Sequence, residues 1–198
     1  MKKLIAAAAI VLFIFSSRLL ADGLDAQPTT TATDGIYSQN PYPRGLRVMT
    51  IYGGFAGQPT GERENLGFCN VGLNYYFCDN WGFGFEASGM GVSQDENNAA
   101  AGGADIILRT HVWNHERFSL YGDFSAGVLE ADHRIPPGGT DFNFTIRTGL
   151  GSAFRLTEST SLMMGVRYLH LSNARQEGPS RNPSLNAIEG YFGVMFRM

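Results

Sequence analysis

Lysine is missing from this 198-residue chain after position 3. Cysteine is confined to Cys69 and Cys78, too few to build the disulfide framework of a small secreted fold. Charged residues are sparse, at 17%, and lean acidic, with a formal net charge of −3. Such a balance leaves no basic patch for a nucleic-acid partner. No apolar run reaches the roughly 20 residues that a membrane-spanning helix requires. Mean hydropathy is accordingly near zero, at −0.11. These shortages exclude a helical membrane protein. They do not exclude a membrane barrel, whose strands alternate apolar and polar residues and average to nothing on such a scale. With 43% of residues hydrophobic, the chain is also too apolar to stay disordered.

The N-terminus carries its own signal. Lys2 and Lys3 form a positive start, residues 4–15 are an unbroken apolar run, and small residues lead to Ala21. This is the layout of a secretory signal peptide cleaved after Ala21. Loss of Lys2, Lys3 and Arg18 leaves 12 of 15 basic residues against 18 acidic ones, a net charge of −6. Residues 22–44, rich in Thr, Pro, Gly and Ala, read as a flexible leader. The folded region is then expected over 45–198.

From Gly45 onward the apolar residues recur with a period of two. Phe142, Phe144, Ile146, Leu150 and Phe154 share one face of a segment whose other face holds Asn143, Thr145 and Arg147. A period of two means a strand. Similar segments lie at 46–55, 67–77, 81–88, 104–112, 118–128, 162–173 and 185–196, which makes eight candidate strands. A soluble sandwich would show the same alternation. Three features favour a barrel. The segments run to about ten residues, as a tilted membrane strand must. Aromatics (Trp81, Phe118, Phe142, Phe154) sit near strand ends, as in interfacial girdles. Tight connections at 78–80, 114–117 and 157–160 alternate with longer ones at 56–63, 93–103, 131–140 and 174–184, and outer-membrane barrels have short periplasmic turns and long external loops. The expected fold is therefore all-β, an eight-stranded antiparallel transmembrane barrel in a bacterial outer membrane. Eight strands enclose a lumen that side chains fill, so Glu86, Asp105, Arg109, Asp123 and Arg147 are expected to pair inside it. Cys69 and Cys78 stand about 30 Å apart along one strand and are expected to stay unbonded.

One strand breaks its own pattern. Leu162, Met164, Val166 and Tyr168 continue on the same face into His170 and Ser172. Polar groups on a lipid-facing surface are costly and usually functional. A strand end that emerges from the membrane also carries polar residues as a matter of course, and composition alone favours that second reading. Alternate residues lie roughly 7 Å apart along a strand, close enough for an imidazole to take a serine proton.

The stretch Gly165-Val166-Arg167-Tyr168-Leu169-His170-Leu171-Ser172-Asn173-Ala174, followed by Asn182-Pro183-Ser184-Leu185-Asn186, resembles the PagL-type lipid A 3-O-deacylases. These are outer-membrane barrels that remove an ester-linked acyl chain from lipid A. The resemblance implies Ser172 as nucleophile, His170 as general base and Asn173 as oxyanion stabiliser, with lipid A as partner and no cofactor or metal. Where such enzymes carry an orienting Glu, this chain has Asn186. It shares a face with Ile188 and Phe192 and so reaches the side of His170. Glu189 is the alternative carboxylate if a bulge near Gly190 re-aims it, and Glu177 in the preceding loop is a more distant one. The oligomeric state stays open, with a homodimer among the options. The competing function is a non-enzymatic barrel that acts in adhesion or envelope structure through its external loops.

Overall fold

The computed structural model describes residues 40–59, 64–178 and 181–198; the expected signal peptide and residues 22–39 of the expected leader lie outside these. Eight strands follow in order: β1 (Arg47–Gly57), β2 (Asn65–Cys78), β3 (Trp81–Ser93), β4 (Ala99–His115), β5 (Phe118–Ile135), β6 (Thr140–Arg155), β7 (Thr160–Ser172) and β8 (Leu185–Arg197). Each pairs antiparallel with its sequence neighbour, and β1 closes on β8 to make a barrel. Closure removes the sheet edges that an open sandwich would leave.

The alternation read from the sequence sorts side chains to the two surfaces. Phe85, Ile106, Phe124, Leu150 and Phe192 point outward and are 44–72% exposed. Arg109, Arg147 and Arg167 point inward and are about 1% exposed. A soluble protein does the reverse, and a monomer in water does not carry so large an apolar patch. Hydrocarbon is the solvent that fits this outer face.

Inside, the charged groups pair across the lumen. Arg109 donates to Asp123 at 3.0 Å, and Arg147 donates to Asp105 at 2.8 Å and to Glu189 at 3.2 Å. Arg167 reaches Asp123 at 2.8 Å and Glu86 at 3.6 Å, with its guanidinium over the rings of Tyr52 and Tyr191. The five lumen residues expected from sequence are all in this network. Arg167 and Glu189 complete it. Buried charge is tolerable only when paired this way.

Two sequence expectations need correction. Residues 40–44, assigned by composition to the leader, are folded into the short-turn end of the barrel. Tyr42 is 4% exposed, stacks on His111 at 3.3 Å between ring centroids and shares a hydrogen bond with Ser119. Pro41 offers its carbonyl to Arg197. The connections expected at 93–103 and 131–140 are also largely strand. β4 begins at Ala99, and β5 continues to Ile135 through a register shift. Beyond the membrane neither face has to be apolar, so the period of two fades while the backbone ladder goes on. Cys69 and Cys78 are both free.

Candidate active site

The turns at 79–80, 116–117 and 156–159, none longer than four residues, lie at one end of the barrel with both described chain termini. The connections at 58–64, 94–98, 136–139 and 173–184 lie at the other. Short turns mark the periplasmic end of outer-membrane barrels. β7 therefore rises outward and delivers His170 and Ser172 to the external end.

On β8 the residue directly across from His170 is Asn186. His170 Nδ1 and Asn186 Oδ1 are 2.8 Å apart. The Tyr168 hydroxyl donates to the same oxygen at 2.6 Å, and Asn186 Nδ2 donates to Ser184 Oγ at 3.4 Å. These bonds assign the amide and the ring. An amide oxygen can only accept, so Nδ1 must carry the proton. A ring protonated at Nδ1 keeps its other lone pair on Nε2, which can then accept a proton. Ser172 follows on the same outward face, opposite Phe144 of β6. His170, Ser172 and Asn186 are half-buried in a surface that is otherwise apolar.

The remaining sequence candidates lie elsewhere. Glu189 faces the lumen, fully buried against Arg147. β7 and β8 pair without a register shift through Glu189 and Gly190, so the bulge that would turn this carboxylate outward is absent. Glu177 is exposed in the external loop and pairs with Arg181 at 2.8 Å. Asn173 also departs from expectation. Alternation turns it away from Ser172, it is buried, and its amide is spent on the loop. Nδ2 donates to the Arg181 carbonyl at 2.6 Å and Oδ1 accepts from the Arg175 N–H at 2.9 Å. Asn173 shapes the turn after the strand rather than facing the membrane.

Sequence reasoning missed two contributors. Tyr168 reads as one more interfacial aromatic, and only the cross-strand register reveals that its hydroxyl meets Asn186. Asn182 reads as half of an Asn-Pro turn, yet its Oδ1 accepts the Asn173 N–H at 3.0 Å, beside Ser172. At the same external end lies a half-open cavity of about 630 Å³ lined by polar side chains that include Asn97, Arg134, Asp141 and Arg181. Asp132, also on its wall, accepts from the Ala100 N–H at 2.8 Å, and this bond, with His133 beside it, holds the carboxyl below its usual range. Among the described residues no cluster of His, Cys, Asp and Glu is arranged to hold a metal ion.

Among solved structures, the chain resembles the crystal structure of Neisserial surface protein A at 12% identity and a TM-score of 0.61, covering 78% of this chain and 97% of that one. The outer membrane protein OprG from Pseudomonas aeruginosa matches at 13% identity and a TM-score of 0.50, covering 81% and 99%. The outer membrane enzyme PagL matches at 15% identity and a TM-score of 0.51, covering 77% and 98%. At such identities these likenesses establish the fold, that of an outer-membrane barrel. Among curated proteins none matches. The sequence itself is more specific than the fold. The family profile described as "Lipid A 3-O-deacylase (PagL)" matches residues 69–195, more than half of the chain, with His170, Ser172 and Asn186 inside the match. The chain thus belongs to the lipid A 3-O-deacylase (PagL) family.

Proposed function

We propose that the protein is an outer-membrane esterase that hydrolyses the ester-linked 3-O acyl chain of lipid A, exported by its residues 1–21 and using Ser172 and His170. The observation that carries this reading is the hydrogen-bonded chain Tyr168–Asn186–His170 on a lipid-facing surface, with Ser172 next on the same face. A structural barrel gains nothing from such a row, because polar groups facing hydrocarbon cost free energy.

In this reading Nε2 of His170 takes the Ser172 proton as Oγ attacks the ester carbonyl carbon. The tetrahedral intermediate collapses, and His170 returns the proton to the departing sugar oxygen. Water then hydrolyses the acyl-serine by the same route. Asn186 holds the imidazole in the Nδ1–H tautomer. The oxyanion falls to the amide nitrogen of Asn182, whose Oδ1 accepts from the backbone N–H of Asn173, the residue after Ser172. The loop cavity offers charged and amide groups on the side of the membrane where a glycolipid headgroup lies.

Mass spectrometry of lipid A from cells that express the protein tests the reading. Wild type is expected to remove one acyl chain, and Ser172→Ala to leave lipid A intact. A folded wild-type barrel that causes no mass loss would overturn the enzyme reading. Loss that persists in Ser172→Ala would overturn the choice of nucleophile.

A further inference from the structure

At the short-turn end of the barrel a small hollow lies between residues 41–42 and the ends of β5, β6, β7 and β8. The side chains of Arg117, Arg155 and Arg197 line it, together with the buried Ser119 and Ser161. Among the described residues Glu116 is the only carboxylate on its wall, so positive charge exceeds negative by two.

Arg109, Arg147, Arg167 and Arg181 each meet a carboxylate within 3.0 Å. Among the described residues no carboxylate pairs with Arg117, Arg155 or Arg197. Arg155 donates to the Glu116 carbonyl at 3.0 Å, and Arg197 donates to that of Pro41. Each bond occupies one of the five N–H donors that a guanidinium carries. Both side chains are half-buried. Arg197 lies over the Tyr42 ring, and Arg155 is near enough to repel it. Cations withdrawn from water beside one another cost free energy unless a counter-ion joins them. Donors here come from a turn and from four strand ends. A phosphate presents oxygens in several directions and can satisfy them, and its geometry suits the guanidinium fork. The outward rings of Trp81, Trp113 and Phe154 mark this end of the barrel, and such girdles lie at the level of lipid headgroups. Trp113 packs edge-on against Phe118, which borders the hollow.

We propose that this hollow binds a phosphate group, supplied by the headgroup of a phospholipid in the periplasmic leaflet or by free phosphate. The site lies at the opposite end of the barrel from His170 and Ser172 and does not depend on the esterase reading. A bound phosphate bridges the turn at Arg117 to the ends of β6 and β8. Through Arg197 it also secures residues 41 and 42 against the barrel.

The test uses the full chain folded in micelles of a phosphate-free amine-oxide detergent, with heat-modifiable gel mobility verifying the fold of every variant. Inorganic phosphate and dihexanoylphosphatidylglycerol are titrated separately at constant ionic strength, and phosphorus NMR line broadening reads the binding. Arg155→Gln is expected to weaken binding by about tenfold, the scale of one charge-assisted hydrogen bond. Arg117→Gln, at an exposed turn position that packs against nothing in the core, is expected to weaken it in the same direction and guards against a folding defect in the first variant. Tighter binding of the phosphatidylglycerol assigns the site to a lipid headgroup, and tighter binding of inorganic phosphate assigns it to the free ion. Equal broadening in wild type and both variants would overturn the proposal. So would a signal that sodium chloride abolishes as fully as the two substitutions do, since that marks a diffuse ion atmosphere rather than a site.

Discussion

Asn186 places a neutral amide where a carboxylate would stabilise the imidazolium that forms during acyl transfer. In the proposed mechanism its oxygen orients His170 but offers no countercharge, which keeps the tautomer and lowers the rate. Asn186→Glu is therefore expected to raise kcat by about ten- to a hundredfold, or about 1.4–2.7 kcal/mol off the barrier, measured on a soluble lipid A ester. A fall in kcat would mean that the amide is needed as a donor, for instance to Ser184. Tyr168 acts one bond further out. Its hydroxyl pins the Asn186 oxygen at 2.6 Å, and losing one such hydrogen bond costs about 0.5–1.5 kcal/mol. Tyr168→Phe is accordingly expected to reduce kcat/KM by roughly two- to tenfold, with the Asn186→Glu variant less sensitive to the same change. An unchanged kcat/KM would remove Tyr168 from the site. His170, Ser172 and Asn186 were all legible in the sequence, because each interrupts an apolar face. Tyr168 was not, because an aromatic on that face breaks no pattern and only pairing across to β8 gives its hydroxyl a partner.

At the scale of the strand, β7 serves two surfaces at once. Its outer face carries Tyr168, His170 and Ser172, while its inner face carries Gly165 and Arg167. Gly165 makes room for Tyr191, and a Cβ there would collide with the Tyr191 hydroxyl and come 2.6 Å from the Leu150 carbonyl oxygen. Backbone cannot yield as a flexible side chain can. Gly165→Val is thus expected to cut the yield of folded barrel sharply, read as loss of the heat-modifiable band on a gel, although position 165 touches no catalytic group. A normal yield would show that Tyr191 can move without cost. The strand ends show how far an element can be read from sequence. Period two identified all eight strands, but β4 and β5 run well past the expected ends, because outside the membrane the ladder continues without an apolar face to betray it. The resemblance implied Asn173 as oxyanion stabiliser, whereas alternation turns it away from Ser172 and the loop holds its side-chain amide.

For the whole molecule, an interior of paired charges lies among buried apolar side chains such as Tyr121, Leu129 and Met163. Arg167 stands at the centre of it, between Asp123 and Glu86 and over two tyrosine rings. Removing one partner from a buried pair leaves a stranded charge and costs about 3–5 kcal/mol. Arg167→Met is expected to lower barrel stability by that amount in urea unfolding from micelles, and Asp123→Asn added to it is expected to restore part of the loss. A loss below about 1 kcal/mol, the value of an exposed pair, would mean that water reaches the lumen.

The sequence by itself determined the class of the molecule and singled out the two residues proposed as its reactive pair. Both follow from which residues alternate, and a local pattern suffices for that. Near-zero hydropathy with few charges was the trace of two cancelling faces, and the scarcity of long apolar runs pointed to strands rather than helices. Only the tertiary structure decided which residue meets His170. That choice depends on register between β7 and β8, and a slip of one residue would have exchanged Asn186 for a lumen position and turned its neighbours outward. The same register committed Glu189 to the lumen and to Arg147. Pairing across strands joins residues distant in sequence, and no local pattern encodes which ones meet.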